Sequence, residues 1–74
     1  MDMRRLVGRN FARIRQERKL TQEQVAEISG FSQQYISGLE NGRRNPTVVT
    51  LFELANALGS DPVALLTNDS HPPS

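Results

Sequence analysis

The segment from Thr21 to Gly42 carries two helix starts and two helix stops in close succession, and it constrains the fold more than any other part of the chain. Thr21 is a good N-cap, and Gln24 three residues later completes a capping box, in which the two residues satisfy each other's backbone N–H groups. Leu20 precedes the cap and can staple it. Val25 and Ile28 are expected to face inward, with the small Ala26 beside them. Gly30 stops this helix, because glycine takes the left-handed conformation at low cost. Only Phe31 and Ser32 precede the next one. Ser32 caps a helix over about residues 33–41, and Gly42 ends it. Two short helices are thereby forced to meet at a sharp turn.

The flanking segments also read as helices. Across about residues 4–18, Val7, Phe11, Ile14 and Arg18 recur at the helical period and form one stripe. Arg5, Arg9 and Arg13 fall opposite it, on a face expected to be solvated. Arg15 lies beside the stripe, so it needs a half-buried acceptor. After a polar loop of Arg43, Arg44, Asn45 and Pro46, Thr47 can cap a fourth helix. Its expected inward stripe is Val48, Leu51, Leu54, Ala55 and Leu58, and Gly59 is its stop. Asp61 followed by Pro62 reads as the cap and first residue of a fifth helix, in which Val63, Leu65 and Leu66 are apolar. The segment from Thr67, TNDSHPPS, is polar and proline-rich and is expected to be a disordered tail. No strand pattern and no repeat is present. The expected fold class is all-α, five helices in one domain over residues 1–66, with the paired helices at about 21–41 and the tail at 67–74.

Composition narrows the functions such a bundle can serve. With 74 residues there is room for one small domain. So small a chain buries only about 60% of its unfolded surface, which makes association a natural source of extra stability. There is no cysteine, and the one histidine, His71, sits in the tail, so no disulfide scaffold, metal site or cofactor is expected. No acid pair and no nucleophile with a base can be assembled, so an enzyme is not expected. No apolar run approaches the roughly 18 residues of a membrane span, and no apolar stretch follows the basic N-terminus as in a secretory signal. The chain reads as soluble and cytoplasmic. Its formal net charge of +1 argues, at face value, against a nucleic-acid partner. The total is a cancellation, however. All nine bases lie in the first 44 residues, while residues 45–74 carry only the acids Glu53, Asp61 and Asp69.

The second of the paired helices has an unusual outward face. On a wheel of about 100° per residue, Ile36, Leu39 and Glu40 mark its core side. Gln34, Ser37, Gly38 and Asn41 point away, with Gln33 at the first turn. Ordinary exposed helix faces favour Glu, Lys and Arg. A run of neutral hydrogen-bonding groups suits base edges instead, and glutamine can offer a donor and an acceptor together to adenine N6 and N7. Gly38 costs the helix about 1 kcal/mol relative to alanine. It reads either as close approach to a groove or as simple tolerance.

The segment QEQVAEISGFSQQYISGLEN resembles the DNA-binding helix-turn-helix of the phage repressor and Cro type, the XRE family. Ala26, Gly30, Ile36 and Leu39 stand at the family's small, turn and core positions. RIRQERKLTQ and LENGRRNPTVVTLFELANALG match its flanks, so the resemblance runs from about Val7 to Leu66. It implies a compact lambda-repressor-like domain that regulates transcription. Gln33, Gln34, Ser37 and Gly38 would occupy the base-reading positions, although Ser37 and Gly38 offer little reach. Gln22 would bind a phosphate at the N-terminus of its helix. Asn41, Arg43, Arg44 and Asn45 would hold the backbone, and Tyr35 would either reach a phosphate or sit half-buried. Arg15 and Glu40 match a structural ion pair of the family. The implied partner is a double-stranded DNA operator, bound by a homodimer through Phe52, Val63 and Leu66, with no membrane and no small-molecule substrate. The short length and YISGLENGRRNP resemble restriction-modification controller proteins. Gln33–Gln34 departs from them, and an antitoxin or part of a longer repressor shares these features. The contrasting expectation is a protein-interaction module of the same fold that reads little DNA.

Overall fold

The computed structural model describes residues 2–68. Five helices follow one another: α1 (Met3–Glu17), α2 (Gln22–Ser29), α3 (Gln33–Glu40), α4 (Val48–Ala57) and α5 (Pro62–Leu66). No strand occurs among the described residues. Of the tail expected at 67–74, Thr67 is tied down, accepting from Asn10 Nδ2 and donating to Val63 O, while residues 69–74, including His71, lie outside the described residues.

Local chemistry sets the helix ends. Thr21 and Gln24 form the reciprocal capping box, with Thr21 N–H donating to Gln24 Oε1 at 2.8 Å and Gln24 N–H donating to Thr21 Oγ1 at 3.0 Å. Ser32 accepts from Tyr35 N–H, Thr47 from Thr50 N–H and Asp61 from Val63 N–H. Each such cap contributes about 1 kcal/mol. Asp2 caps α1 in the same way by accepting from Arg4 N–H and Arg5 N–H. Gly30 sits at φ 85°, which only glycine adopts readily, and this lets the chain reverse between α2 and α3. At the end of α1 a lysine does the same work: Lys19 has φ 60°. Holding a side chain there costs on the order of 1 kcal/mol. Lys19 N–H and Leu20 N–H close the turn by donating to Gln16 O and Arg15 O at 2.9 and 3.1 Å.

One core joins the helices. Phe11, Val25, Ile36, Leu39, Leu54 and Leu65 are fully buried, and Val7, Ile14, Leu51, Ala55 and Leu58 surround them. α1 is the central element and packs on α3 and α5, while α2 lies against α3 and α4. α1 and α3 approach at backbone distance through Gly8. A Cβ there would overlap the Leu39 carbonyl oxygen and lie 3.0 Å from that of Glu40. The buried Asn10 ties α1 to α5: its Nδ2 donates to Leu65 O at 2.8 Å and to Thr67 O at 2.9 Å.

Three apolar-stripe expectations need correction. Ile28 is 58% exposed: Val25 is the buried residue of the short α2, and Ile28 lines a surface hollow with Phe31 and Phe52. Val48 is 82% exposed. It is the first residue of α4, and helical side chains lean toward the N-terminus, here past the edge of the core. Arg18 does not line the core. Its Nε and Nη2 donate to Leu58 O and Gly59 O, satisfying carbonyls at the C-terminus of α4.

Candidate nucleic-acid interface

α3 is fixed to the domain by its apolar side and by one carboxylate. Ile36 and Leu39 are fully buried, and Glu40 receives three donors. Arg15 Nε and Nη2 donate to Glu40 Oε2 and Oε1 at 2.6 and 3.1 Å, a bidentate pair. Gln22 Nε2 donates to Glu40 Oε1 at 3.0 Å. The third arm of the Arg15 guanidinium donates to Leu20 O at 2.8 Å, just ahead of the α2 cap. Both charged side chains are nearly buried, at 12% and 9% exposure, so solvent screens the pair little. Glu40 therefore links α1, α2 and α3 at one point.

The neutral face of α3 looks outward. Gln33 and Gln34 are exposed in its first turn. Gln22 and Gln33 border one shallow hollow with Lys19 and Thr21, so the N-termini of α2 and α3 open on the same side. Thr21 satisfies Gln24 N–H, and the earlier amides of α2 stand beside this hollow with the positive end of the helix dipole. Ser37 and Gly38 are partly covered. Asn41 is exposed and donates from Nδ2 to Ser37 O at 2.9 Å, which closes the end of α3. Arg43, Arg44 and Asn45 follow as an exposed loop, tied to the helix by Arg43 N–H donating to Gly38 O at 2.8 Å.

Tyr35 is half-buried. Its ring stacks on Phe31 with centroids 4.9 Å apart and 20° between planes, and the Arg44 guanidinium carbon lies over it, 5.3 Å from its centroid. Burial raises the phenol above its usual pKa of 10.0 by more than the Arg44 charge lowers it. The hydroxyl is thus neutral at physiological pH and available as a donor.

The residues expected at the DNA surface gather on α2, α3 and the following loop, whereas Phe52, Val63 and Leu66 stand on α4 and α5. All three of these are exposed, at 58%, 68% and 42%, and Val49 joins them at 67%. Gly8, Asn10 and Arg18, which set how α1 holds α3, α4 and α5, were not singled out as site-building residues. A glycine inside a helical pattern was the available signal for Gly8. Nothing local marked Asn10. No group of three or more potential metal-binding side chains occurs among the described residues, and none of their helices is long and apolar enough to cross a membrane.

A short helix presented by a preceding helix and a tight glycine turn, with amide side chains outward and a basic loop behind it, defines the helix-turn-helix class. The helix-turn-helix family model HTH_3 matches residues 11–65, and the chain belongs to this family of transcriptional regulators. A relative from Sinorhizobium fredii (strain NBRC 101917 / NGR234), the uncharacterized HTH-type transcriptional regulator y4dJ, is 64% identical over 99% of this chain and 95% of its own. The control protein C.SmaI of Serratia marcescens is 42% identical over 90% of this chain and 80% of its own. Among solved structures, the restriction-modification controller protein C.AhdI from Aeromonas hydrophila superposes with a TM-score of 0.79 at 34% identity, covering 84% of this chain and 94% of that one.

Proposed function

We propose that this regulator binds a double-stranded operator as a homodimer, each α3 lying in the major groove of one half-site. The outward face of α3 is the observation that carries the reading. Gln33 and Gln34 are exposed at its first turn on a helix anchored through Glu40. An eight-residue helix is about 12 Å long, comparable with the width of the groove. Gln33 and Gln34 are the principal base readers, with Ser37 and Gly38 beside them. Gln22, Tyr35, Asn41, Arg43, Arg44 and Asn45 meet the backbone and set the register. The Gln22 side chain is engaged by Glu40, so its backbone amide at the start of α2 is the better phosphate donor.

Phe52, Val63 and Leu66 form the dimer surface, supported by their exposure in the single chain. A two-fold dimer places two α3 helices about 34 Å apart, one turn of B-DNA. Such a protein acts in the cytoplasm on the nucleoid, without a cofactor and without catalysis. The net charge of only +1 and the short reach of Ser37 and Gly38 favour the rival reading, a protein-interaction module of the same fold.

Selection of bound duplexes from randomised DNA separates the two. The expected product is a pseudo-palindrome with half-site centres one turn apart. Failure of any sequence to enrich would leave the protein-interaction reading.

A further inference from the structure

The sequence leaves a gap in the reading face. Gln33 and Gln34 are long enough to reach base edges, but Ser37 and Gly38, one turn on, are not. The structure fills that gap from outside the helix. A Cβ on Gly38 would lie 3.0 Å from Arg44 Nε, 3.4 Å from its Cγ and 3.7 Å from its Cδ. The Arg44 side chain therefore runs back across α3 and occupies the space that a side chain at position 38 would enter. The missing Cβ is what lets it lie so close.

Three features hold it there. Arg43 N–H donates to Gly38 O at 2.8 Å and Gly42 N–H to Leu39 O at 3.1 Å, which folds the loop onto the end of α3. The guanidinium lies over the Tyr35 ring, a cation–π contact. Tyr35 in turn stacks on Phe31, and both rings pack against the core. The support thus runs from core to Phe31 to Tyr35 to Arg44. A side chain held this way loses less conformational freedom on binding than a free arginine. Its fork of donors matches guanine O6 and N7, the commonest specific major-groove contact.

We propose that Gly38 and Arg44 together form one composite base-reading position, with Arg44 directed at a guanine and Tyr35 as its positioning residue. The proposal rests on α3 being the DNA-reading helix and changes the part Arg44 plays in it from holding phosphate to specifying sequence.

The test is duplex selection with the wild-type chain, Arg44→Ala, Arg44→Lys and Gly38→Ala, with helicity checked by circular dichroism. In the wild type, one guanine per half-site is expected to be preferred. Arg44→Ala should reduce discrimination at that base by about 10- to 100-fold and leave the other positions unchanged. Arg44→Lys keeps the charge but should lose most of the guanine preference, because lysine lacks the fork. Gly38→Ala, by displacing the Arg44 side chain, should alter discrimination at the same base. The proposal is overturned if Arg44→Ala weakens all sequences by one factor, lowers the salt slope by about one, and is rescued by lysine, since that is phosphate contact. It is also overturned if Gly38→Ala leaves that base position untouched. Enrichment of no sequence by the wild type would remove the DNA reading itself, and this proposal with it, before any substitution is compared.

Discussion

Gly8 shows how one residue without a side chain sets the position of a functional helix. Its α-carbon faces the last turn of α3, and an added methyl group would collide with the Leu39 carbonyl. Backbone cannot rotate away as a side chain can. Gly8→Ala is therefore expected to destabilise the fold by about 1–3 kcal/mol, although alanine is the better helix former, and urea denaturation reads the loss. Asn10 is the polar counterpart. Asn10→Ala removes both donors to Leu65 O and Thr67 O and is expected to cost about 1–3 kcal/mol in the same measurement. Neither role was legible in the sequence, for one reason. Periodicity tells which side of α1 faces inward, but these roles depend on which backbone arrives there from residues 39–40 and 65–67. Arg15 was legible in half. Its place beside the apolar stripe demanded an acceptor, whereas the choice of Glu40 came from the family resemblance.

Elements were the most legible level, because their ends are written in local chemistry. The capping residues Thr21, Ser32, Thr47 and Asp61 and the glycine at 30 mark boundaries that no tertiary contact needs to supply. Faces of short helices were harder to read. α2 buries one hydrophobic side chain fully, Val25, so its pattern cannot say whether Ile28 follows it inward. Val48 fails at the other extreme, as a helix-end residue whose side chain leans off the core. The orientation of α3 relative to α1 and α2 rests on the Glu40 cluster. Glu40→Ala strands the nearly buried Arg15 guanidinium and is expected to destabilise by about 3–5 kcal/mol. The double variant Arg15→Met/Glu40→Leu should recover most of that stability in urea denaturation, since neither charge then lacks a partner. A double variant as unstable as the single one would mean that the carboxylate is needed for more than balancing Arg15.

At the scale of the molecule, the charge pattern and the apolar surface carry the account. The formal net charge of +1 is a cancellation: Glu40 is engaged by Arg15 and Gln22, and Glu23 borders the hollow shared by Gln22 and Gln33. The loop bases Arg43 and Arg44 are exposed after α3. Phe52, Val63 and Leu66 are exposed on α4 and α5, and the proposed dimer surface rests on them. Phe52→Asp is expected to give a folded monomer in sedimentation analysis and to lose affinity for a paired half-site. A wild-type chain that sediments as a monomer with and without DNA would remove the dimer surface from the account. Whether α3 reads bases through its exposed glutamines is decided by the binding of Gln34→Ala to operators varied one base at a time. The expected result is a loss of about 1–3 kcal/mol of discrimination at a single base position, with the remaining preferences intact. An unchanged sequence preference would contradict it.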